Sequence, residues 1–390
     1  MFKDVLTFFK GIFDRYWILG LSIILGLFIA KSLGGQSITK AVLPIAGIVG
    51  ISVILMLIYY PQLIIFTAVI MGHFIAHLGR IGVSLPVGLS IDALLGLALV
   101  ILLVNQAKGN FKHLGKPEFI AIFIWVGYTW VEIANPISPG PVAWFYAMRS
   151  MSLYYILTPI AVCGLITSPS HFKSFYYLLI PLSLMMAINA IKQDVAGMNE
   201  YEMRWLMTGP IRTHFIRGKM RVFSFLADAS TFGAYAAYIA TVFGVMAVYP
   251  KSLKFRWAYG LIALVSFYAM MISGSRGPLG IIGVGGMVYL IMSKRVVIAS
   301  MGAVAGAGGY VFLAFTKIGH SNYNIARLRS AFDPNDPSLL VRKAKEAVLK
   351  VYMADKPIGG GIGSAGLWGE RFAPGTFLAN TPTDGLYSRI

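Results

Sequence analysis

Apolar residues run along this chain in blocks of about twenty, separated by short polar turns and by two long polar stretches. A helix needs about 20 mainly apolar residues to cross the hydrocarbon of a bilayer. On that measure the blocks predict eleven spans: 17–33, 41–60, 62–79, 86–104, 118–134, 145–167, 174–191, 222–249, 255–273, 277–293 and 296–315. The IYYPQ junction at 58–62 is so tight that the second and third spans form a hairpin or one of them is re-entrant. Ahead of the spans, Phe2, Val5, Leu6, Phe9, Ile12, Phe13 and Tyr16 recur at helical spacing opposite Lys3, Asp4, Lys10 and Asp14. Segment 1–16 therefore reads as an amphipathic surface helix or as a continuation of the first span.

The expected fold is an all-α polytopic membrane protein. Transmembrane helices over 17–191 and 222–315 are divided by a polar loop, 192–221, and followed by a partly helical polar domain, 316–390. Composition agrees. Only 12% of residues are charged and mean hydropathy is +0.73, whereas soluble domains carry about 25% charged residues. The net charge of +18 would suggest nucleic acid on a soluble protein. On a membrane chain it fits lipid headgroups, topology signals and anionic substrates instead. The lone Cys163 excludes an intrachain disulfide and reads as packing in an apolar run. Met1–Trp17 lacks the basic-then-apolar order of a cleavable signal peptide.

Short loops set the orientation. With the N-terminus cytoplasmic, the inner segments hold Lys3, Lys10, Arg15, Lys108, Lys112, Lys116, Lys173, Lys251, Lys254, Arg256, Lys294 and Arg295. The short outer loops and their flanks hold Lys31, Lys40, Arg80 and Arg276 alone. Both long polar segments then face outward, with six and ten basic residues that the topology does not require.

Those charges point to chemistry. The 192–221 loop sets Lys192, Arg204, Arg212, Arg217, Lys219 and Arg221 against Asp194, Glu200 and Glu202, which makes a cationic site for an anion at the bilayer surface. Arg149, Arg221 and Arg276 stand near the outer ends of the sixth, eighth and ninth spans, and Arg342 opens a helix in the tail. Any one of them reads as a headgroup anchor. Together, beside two basic loops, they read as a diphosphate site, because a guanidinium grips phosphate through two donors. Asp228, inside the eighth span, either pairs with Arg221 or a neighbour or takes part in catalysis.

Other patterns carry less. His73 and His77 have metal-ligand spacing, but no carboxylate accompanies them, and neither a metal nor a cofactor is expected. The 359–366 run GGGIGSAG lacks the Lys-Ser/Thr of a nucleotide loop and reads as close-approach backbone. Small residues in GPLGIIGVGG and GAVAGAGG read as tight helix packing. In the tail, Asp336-Pro337-Ser338 starts a helix with Leu340, Ala344, Ala347, Val348 and Val351 on one face.

Three pieces of the second half resemble one family. Arg221 precedes VFSFLADASTFG, SGSRG spans Ser273 to Gly277, and Arg342 in a long outer segment is followed by PIGGGIG from Pro357 to Gly363. Their order and spacing resemble the O-antigen ligase and polymerase family over roughly 200–390. The resemblance implies a glycosyltransferase of the bacterial inner membrane. It would move a glycan from an undecaprenyl-diphosphate carrier to an acceptor hydroxyl on a glycan or lipid at the outer face, without a metal. It also implies that Arg221 and Arg342, and then Arg276, bind the diphosphate. The family base is a His followed by Asn and Tyr, but Thr381 to Tyr387 reads TPTDGLY, so Asp384 is the expected substitute, with His320 or His214 next. The family also continues for a span or two beyond the position of Ile390, which implies a truncated chain. A transporter or flippase of a lipid-linked or anionic solute is the alternative, with Glu132 and Asp92 its acidic candidates in the first half. A scaffold without chemistry leaves the outer arginines unexplained.

Overall fold

A computed structural model describes residues 20, 23–24, 50, 52–82, 87–104, 112–216, 218–248, 253–293, 296–319 and 321–381. The expected 1–16 helix, the 17–33 span, most of the first half of the 41–60 span, and the candidate residues Arg217, His320 and Asp384 lie outside the described residues. In chain order the helices are α1 (Gln62–Arg80), α2 (Val87–Val104), α3 (Pro117–Val131), α4 (Pro141–Met148), α5 (Tyr154–Leu165), α6 (Pro169–Val195) and α7 (Glu200–Met207). A two-stranded antiparallel hairpin, β1 (Phe215–Ile216) and β2 (Lys219–Met220), follows. Next come α8 (Ala229–Val248), α9 (Leu253–Ile272), α10 (Pro278–Ser293), α11 (Val296–Phe315), α12 (Tyr323–Arg329), α13 (Pro337–Met353) and α14 (Gly366–Phe372).

Among the described residues the protein is mostly helical with almost no strand. Among the described residues five helices are long and apolar enough to cross a membrane: Gln62–Arg80, Pro117–Ala134, Pro169–Val195, Ala229–Val248 and Phe255–Ile272. Gly88–Val104, Pro278–Ser293 and Ser300–Phe315 are apolar but shorter. Where one block was expected over 145–167, α4 and α5 are joined by a π-helical turn, Arg149–Leu153.

The chain forms two compact units that do not follow chain order. The first comprises 1–94 with 166–328, and the second 95–165 with 329–390. In the first unit, α8 packs along α9 and α10. Its small face, Ala236 and Ala237, meets Met186, Ala187 and Ala190 of α6 and Ala269, Met270 and Ile272 of α9. Small side chains let apolar helices approach where lipid offers no hydrophobic push. A Cβ on Gly285 of α10 would lie 2.6 Å from Cγ2 of Thr241, and one on Gly302 of α11 2.9 Å from Leu290. Both glycines are therefore packing positions, while many others in those helices meet nothing.

In the second unit the glycine run folds against the turn that precedes α4. Gly359, Gly361 and Gly363 all have positive φ, which admits glycine at little cost. A Cβ on Gly361 would lie 2.7 Å from Cα of Ser138, and one on Gly363 2.8 Å from the backbone of Ala143. Between them Ile362 is buried with Trp144, Ala147 and Met148. Cys163, expected in packing, is instead exposed on α5.

Gly361→Ala should therefore lose both a left-handed conformation, roughly 1–2 kcal/mol, and the close approach to Ser138, about 1–3 kcal/mol more. Gly375→Ala has positive φ and nothing within 4 Å, so it should lose the first alone. Thermal unfolding in detergent should show the larger drop in Tm for Gly361→Ala, and equal drops would refute the packing role.

Candidate functional site

The site lies in the first unit, and its frame begins where α6 ends. Asn199 and Glu202 form a reciprocal cap at the start of α7: Asn199 Oδ1 accepts from the Glu202 N–H, and Glu202 Oε2 from the Asn199 N–H, each at 2.8 Å. Glu202 is buried, and it also accepts from Gln193 Nε2 at 2.7 Å and pairs with Lys192 at 3.6 Å. The hairpin turns at Gly218, with positive φ, and Lys219 pairs with Asp194 at 2.8 Å. The Arg221 N–H then donates to the His214 carbonyl and returns the chain to the helices.

The eighth span does not begin at Val222. Residues 222–228 are irregular, yet Val222, Phe223 and Ser224 are fully buried, and Ser224 has φ 51°. Buried backbone that is not helical must find partners elsewhere. Arg80 supplies three of them: its guanidinium donates to the carbonyls of Ser224 (3.2 Å), Leu226 and Ala227 (3.0 Å). It sits over the rings of Trp205 (4.4 Å) and Phe223 (4.3 Å). Gln193 Oε1 accepts from the N–H groups of Phe223 (3.1 Å) and Ser224 (2.8 Å), and the Ser224 hydroxyl donates to the Met186 carbonyl at 2.7 Å.

Asp228 consequently lies at the start of α8 rather than within it. Its carboxylate accepts from the N–H groups of Ser230 (2.7 Å) and Thr231 (2.9 Å) and from the Thr231 hydroxyl (2.7 Å). Burial works to raise its pKa, but the Thr231 and Ser230 hydrogen bonds outweigh it and hold the group below the usual carboxylate range. Its role is a helix cap.

Arg221 is buried and binds mainly the protein. Its Nε donates to the Ser273 carbonyl (3.1 Å), Nη1 to the Thr213 carbonyl (3.0 Å), and Nη2 to the hydroxyls of Ser230 (3.3 Å) and Ser275 (2.6 Å). It thereby fastens the hairpin to the start of α8 and to the SGSRG turn. Gly274, with φ 61°, lets the guanidinium lie against that turn, since a Cβ would stand 3.3 Å from Arg221 Cγ. The Gly274 carbonyl accepts from Nε of Arg327, a buried residue of α12, at 3.2 Å. Half-buried Arg276 follows in the same turn. Burial, and next the Arg327 guanidinium, lower the pKa of Arg221; Arg276 adds to this, while Tyr323 and Asp228 oppose it. Three guanidiniums are thus gathered around one turn.

Two polar atoms there have no hydrogen-bond partner among the described residues: Tyr323 Oη, within reach of Gly274, and the buried His214 Nε2. His214 Nδ1 lies 2.9 Å from the Pro210 carbonyl, which can only accept, so the hydrogen bond places the proton on Nδ1 and the lone pair on Nε2. The ring is wedged edge-on between Trp205 and Phe223. Burial pushes its pKa below the ordinary histidine value, with the Pro210 hydrogen bond opposing.

Of the sequence candidates, Arg221 and Arg276 share this cluster and Asp228 borders it. Arg149 and Arg342 belong to the second unit. Arg149 sits in the π-helical turn and donates to the Tyr154 hydroxyl at 3.3 Å, and Arg342 is exposed on α13. Glu132 is buried and accepts from Asn135 Nδ2 (3.0 Å), which also donates to the Gly359 carbonyl. His73 and His77 pack edge-on against Tyr235 and Phe225. Among the described residues no group of three or more His, Cys, Asp or Glu side chains gathers. Sequence reasoning counted Arg80 only as a topology charge and passed over Gln193 and Arg327. A basic residue closing an otherwise apolar span was the one available signal. Comparison with family models, with curated proteins and with solved structures gives no match.

Arg80→Ala should strand three carbonyls, two of them buried, and lower unfolding stability by about 3 kcal/mol; a change within roughly 0.5 kcal/mol would refute the assignment. The depressed folded-state pKa of His214 means that its neutral form belongs to the fold. Its contribution is complete above about pH 6.5 and is lost as pH falls through the depressed value. Between pH 7.5 and 5, Tm should therefore fall further for the wild type than for His214→Gln.

Proposed function

We propose that this chain is a membrane glycosyltransferase of the O-antigen ligase or polymerase type, which takes its glycan from a polyprenyl-diphosphate carrier. One observation carries the reading. Arg221, Arg276 and Arg327 converge on the Ser273–Gly277 turn beside the unpartnered Tyr323 hydroxyl, with Asp228 the one carboxylate among the groups that act on Arg221. Like charges brought together at a partly buried site fit a ligand with more than one negative charge, and two linked phosphates meet that need.

In this scheme Arg221 fixes the turn, while Arg276 and Arg327 face the diphosphate. The acceptor hydroxyl oxygen forms the new bond to the anomeric carbon, and the bond from that carbon to the phosphate oxygen breaks. The electron pair leaves with the carrier diphosphate, where fixed guanidiniums stabilise the growing charge without reorganising. The hydroxyl proton passes to a base, Asp384 in place of the family's His, with His320 or His214 next. The proposal includes eleven spans, with 192–221 and 316–390 on the outer face of a bacterial inner membrane and undecaprenyl diphosphate as the carrier. Arg149, Arg217 and Arg342 are proposed to hold further anionic groups of substrate or lipid.

Purified full-length protein in proteoliposomes, given a polyprenyl-diphosphate glycan and an acceptor, tests the reading. Arg276→Gln should lower turnover by about 10²-fold while Tm stays close to wild type, and Arg327→Gln should lower it comparably with some loss of Tm, because the Gly274 carbonyl loses its donor. Undiminished turnover in both would sink the diphosphate assignment. Movement of intact carrier-linked glycan across the bilayer without transfer would establish the transporter reading instead.

A further inference from the structure

Helix α13 of the second unit is anchored along one side and apolar along the other. Buried Asp336 caps its start, accepting from the N–H groups of Ser338 (3.0 Å) and Leu339 (3.2 Å), and Leu349 is buried beneath it. Taken at about 100° per residue, Leu340, Ala344, Ala347, Val348 and Val351 fall within an arc of roughly 100°, opposite Leu349. That arc is uncovered: Leu340 is 48%, Val348 57% and Val351 79% exposed. Lys343 and Lys345 stand just beyond its two edges, both exposed.

The connection after α13 ties its C-terminal end to one end of a candidate span. Tyr128, whose backbone lies about 9 Å in helical rise before the end of the candidate span Pro117–Ala134, donates its hydroxyl to the Ile358 carbonyl at 3.2 Å. Asn135, just past that end, donates to the Gly359 carbonyl at 3.3 Å. The last residue of α13 is Met353, so its C-terminal end can stand no more than about 18 Å along the chain from Ile358. Ile358 and Gly359 are thus tied to the end of that span, where hydrocarbon gives way to headgroups in a bilayer it crosses, and the end of α13 stands within that reach of it.

The geometry points to α13 as an interfacial helix, with its apolar stripe set into the acyl boundary of an anionic phospholipid surface and Lys343 and Lys345 on the headgroup phosphates. An apolar stripe flanked by lysines on both sides suits that interface: the stripe loses contact with water and the ammonium groups stay at headgroup level. Anionic lipid is favoured because each basic residue near such a surface adds attraction that salt screens. This inference stands apart from the glycan reading, since it requires only a bilayer and no substrate.

Single cysteines at Ala344, Glu346, Val348 and Val351, placed in full-length Cys163→Ala protein and labelled with a nitroxide, test it in vesicles of phosphatidylglycerol and phosphatidylethanolamine. Labels at 344, 348 and 351 should collide several-fold more with oxygen than with a water-soluble nickel chelate, and the label at 346 should show the reverse. Lys343→Gln with Lys345→Gln, or vesicles of phosphatidylcholine alone, should shrink that contrast several-fold. Nickel access at all four positions would overturn the inference. Immobilised spectra along the stripe would overturn it as well, by marking a protein partner or a second copy in place of lipid.

Discussion

Seven residues of non-helical backbone, Val222 to Asp228, four of them buried, set the terms for the first unit. Apolar surroundings give a carbonyl no water to accept from, so an irregular segment there survives only if side chains reach it. Arg80 answers three carbonyls at once and lays its charged plane over two aromatic rings, while Gln193 answers the neighbouring N–H groups. Glu202, itself committed to a helix cap, orients Gln193. Remove that frame and neither Arg221 nor Asp228 has a fixed place.

The irregular segment also explains why the arginines collect where they do. Had the helix started at Val222, Arg221 would have stood as one more basic residue at a helix end. The turn instead directs it across to Ser273 and Ser275, and Gly274 leaves room for it. Arg327 then donates to the next carbonyl of the same turn, that of Gly274. A fastened guanidinium is a poor free ligand but a good support, because it holds its neighbours' positions and contributes charge without moving.

Apolar periodicity made the helices legible in the sequence, and glycine with proline marked their ends, as with the cap at Asp336 and the turn around Gly361. The start of the eighth span was not legible, because VFSFLADA is as apolar as a helix would be. What makes it irregular lies 144 residues earlier, in Arg80, beyond the reach of any local window. Arg221 was legible as important, but not that its guanidinium fastens the hairpin to two serine hydroxyls and two backbone carbonyls. Arg327 carried no local signal at all. His73 and His77 had the spacing of metal ligands, and the aromatic rings opposite them come from elsewhere in the chain.

The buried segment carries one more implication, for assembly. The side chains that satisfy its backbone, Arg80 and Gln193, precede it in the chain, as does Met186, whose carbonyl accepts from the Ser224 hydroxyl. A ribosome delivers these groups first. The loop can therefore settle as it emerges, before Ser273, Ser275 and Arg327 exist to receive Arg221. Order of synthesis and order of completion coincide, with the scaffold closing early and the cationic cluster last.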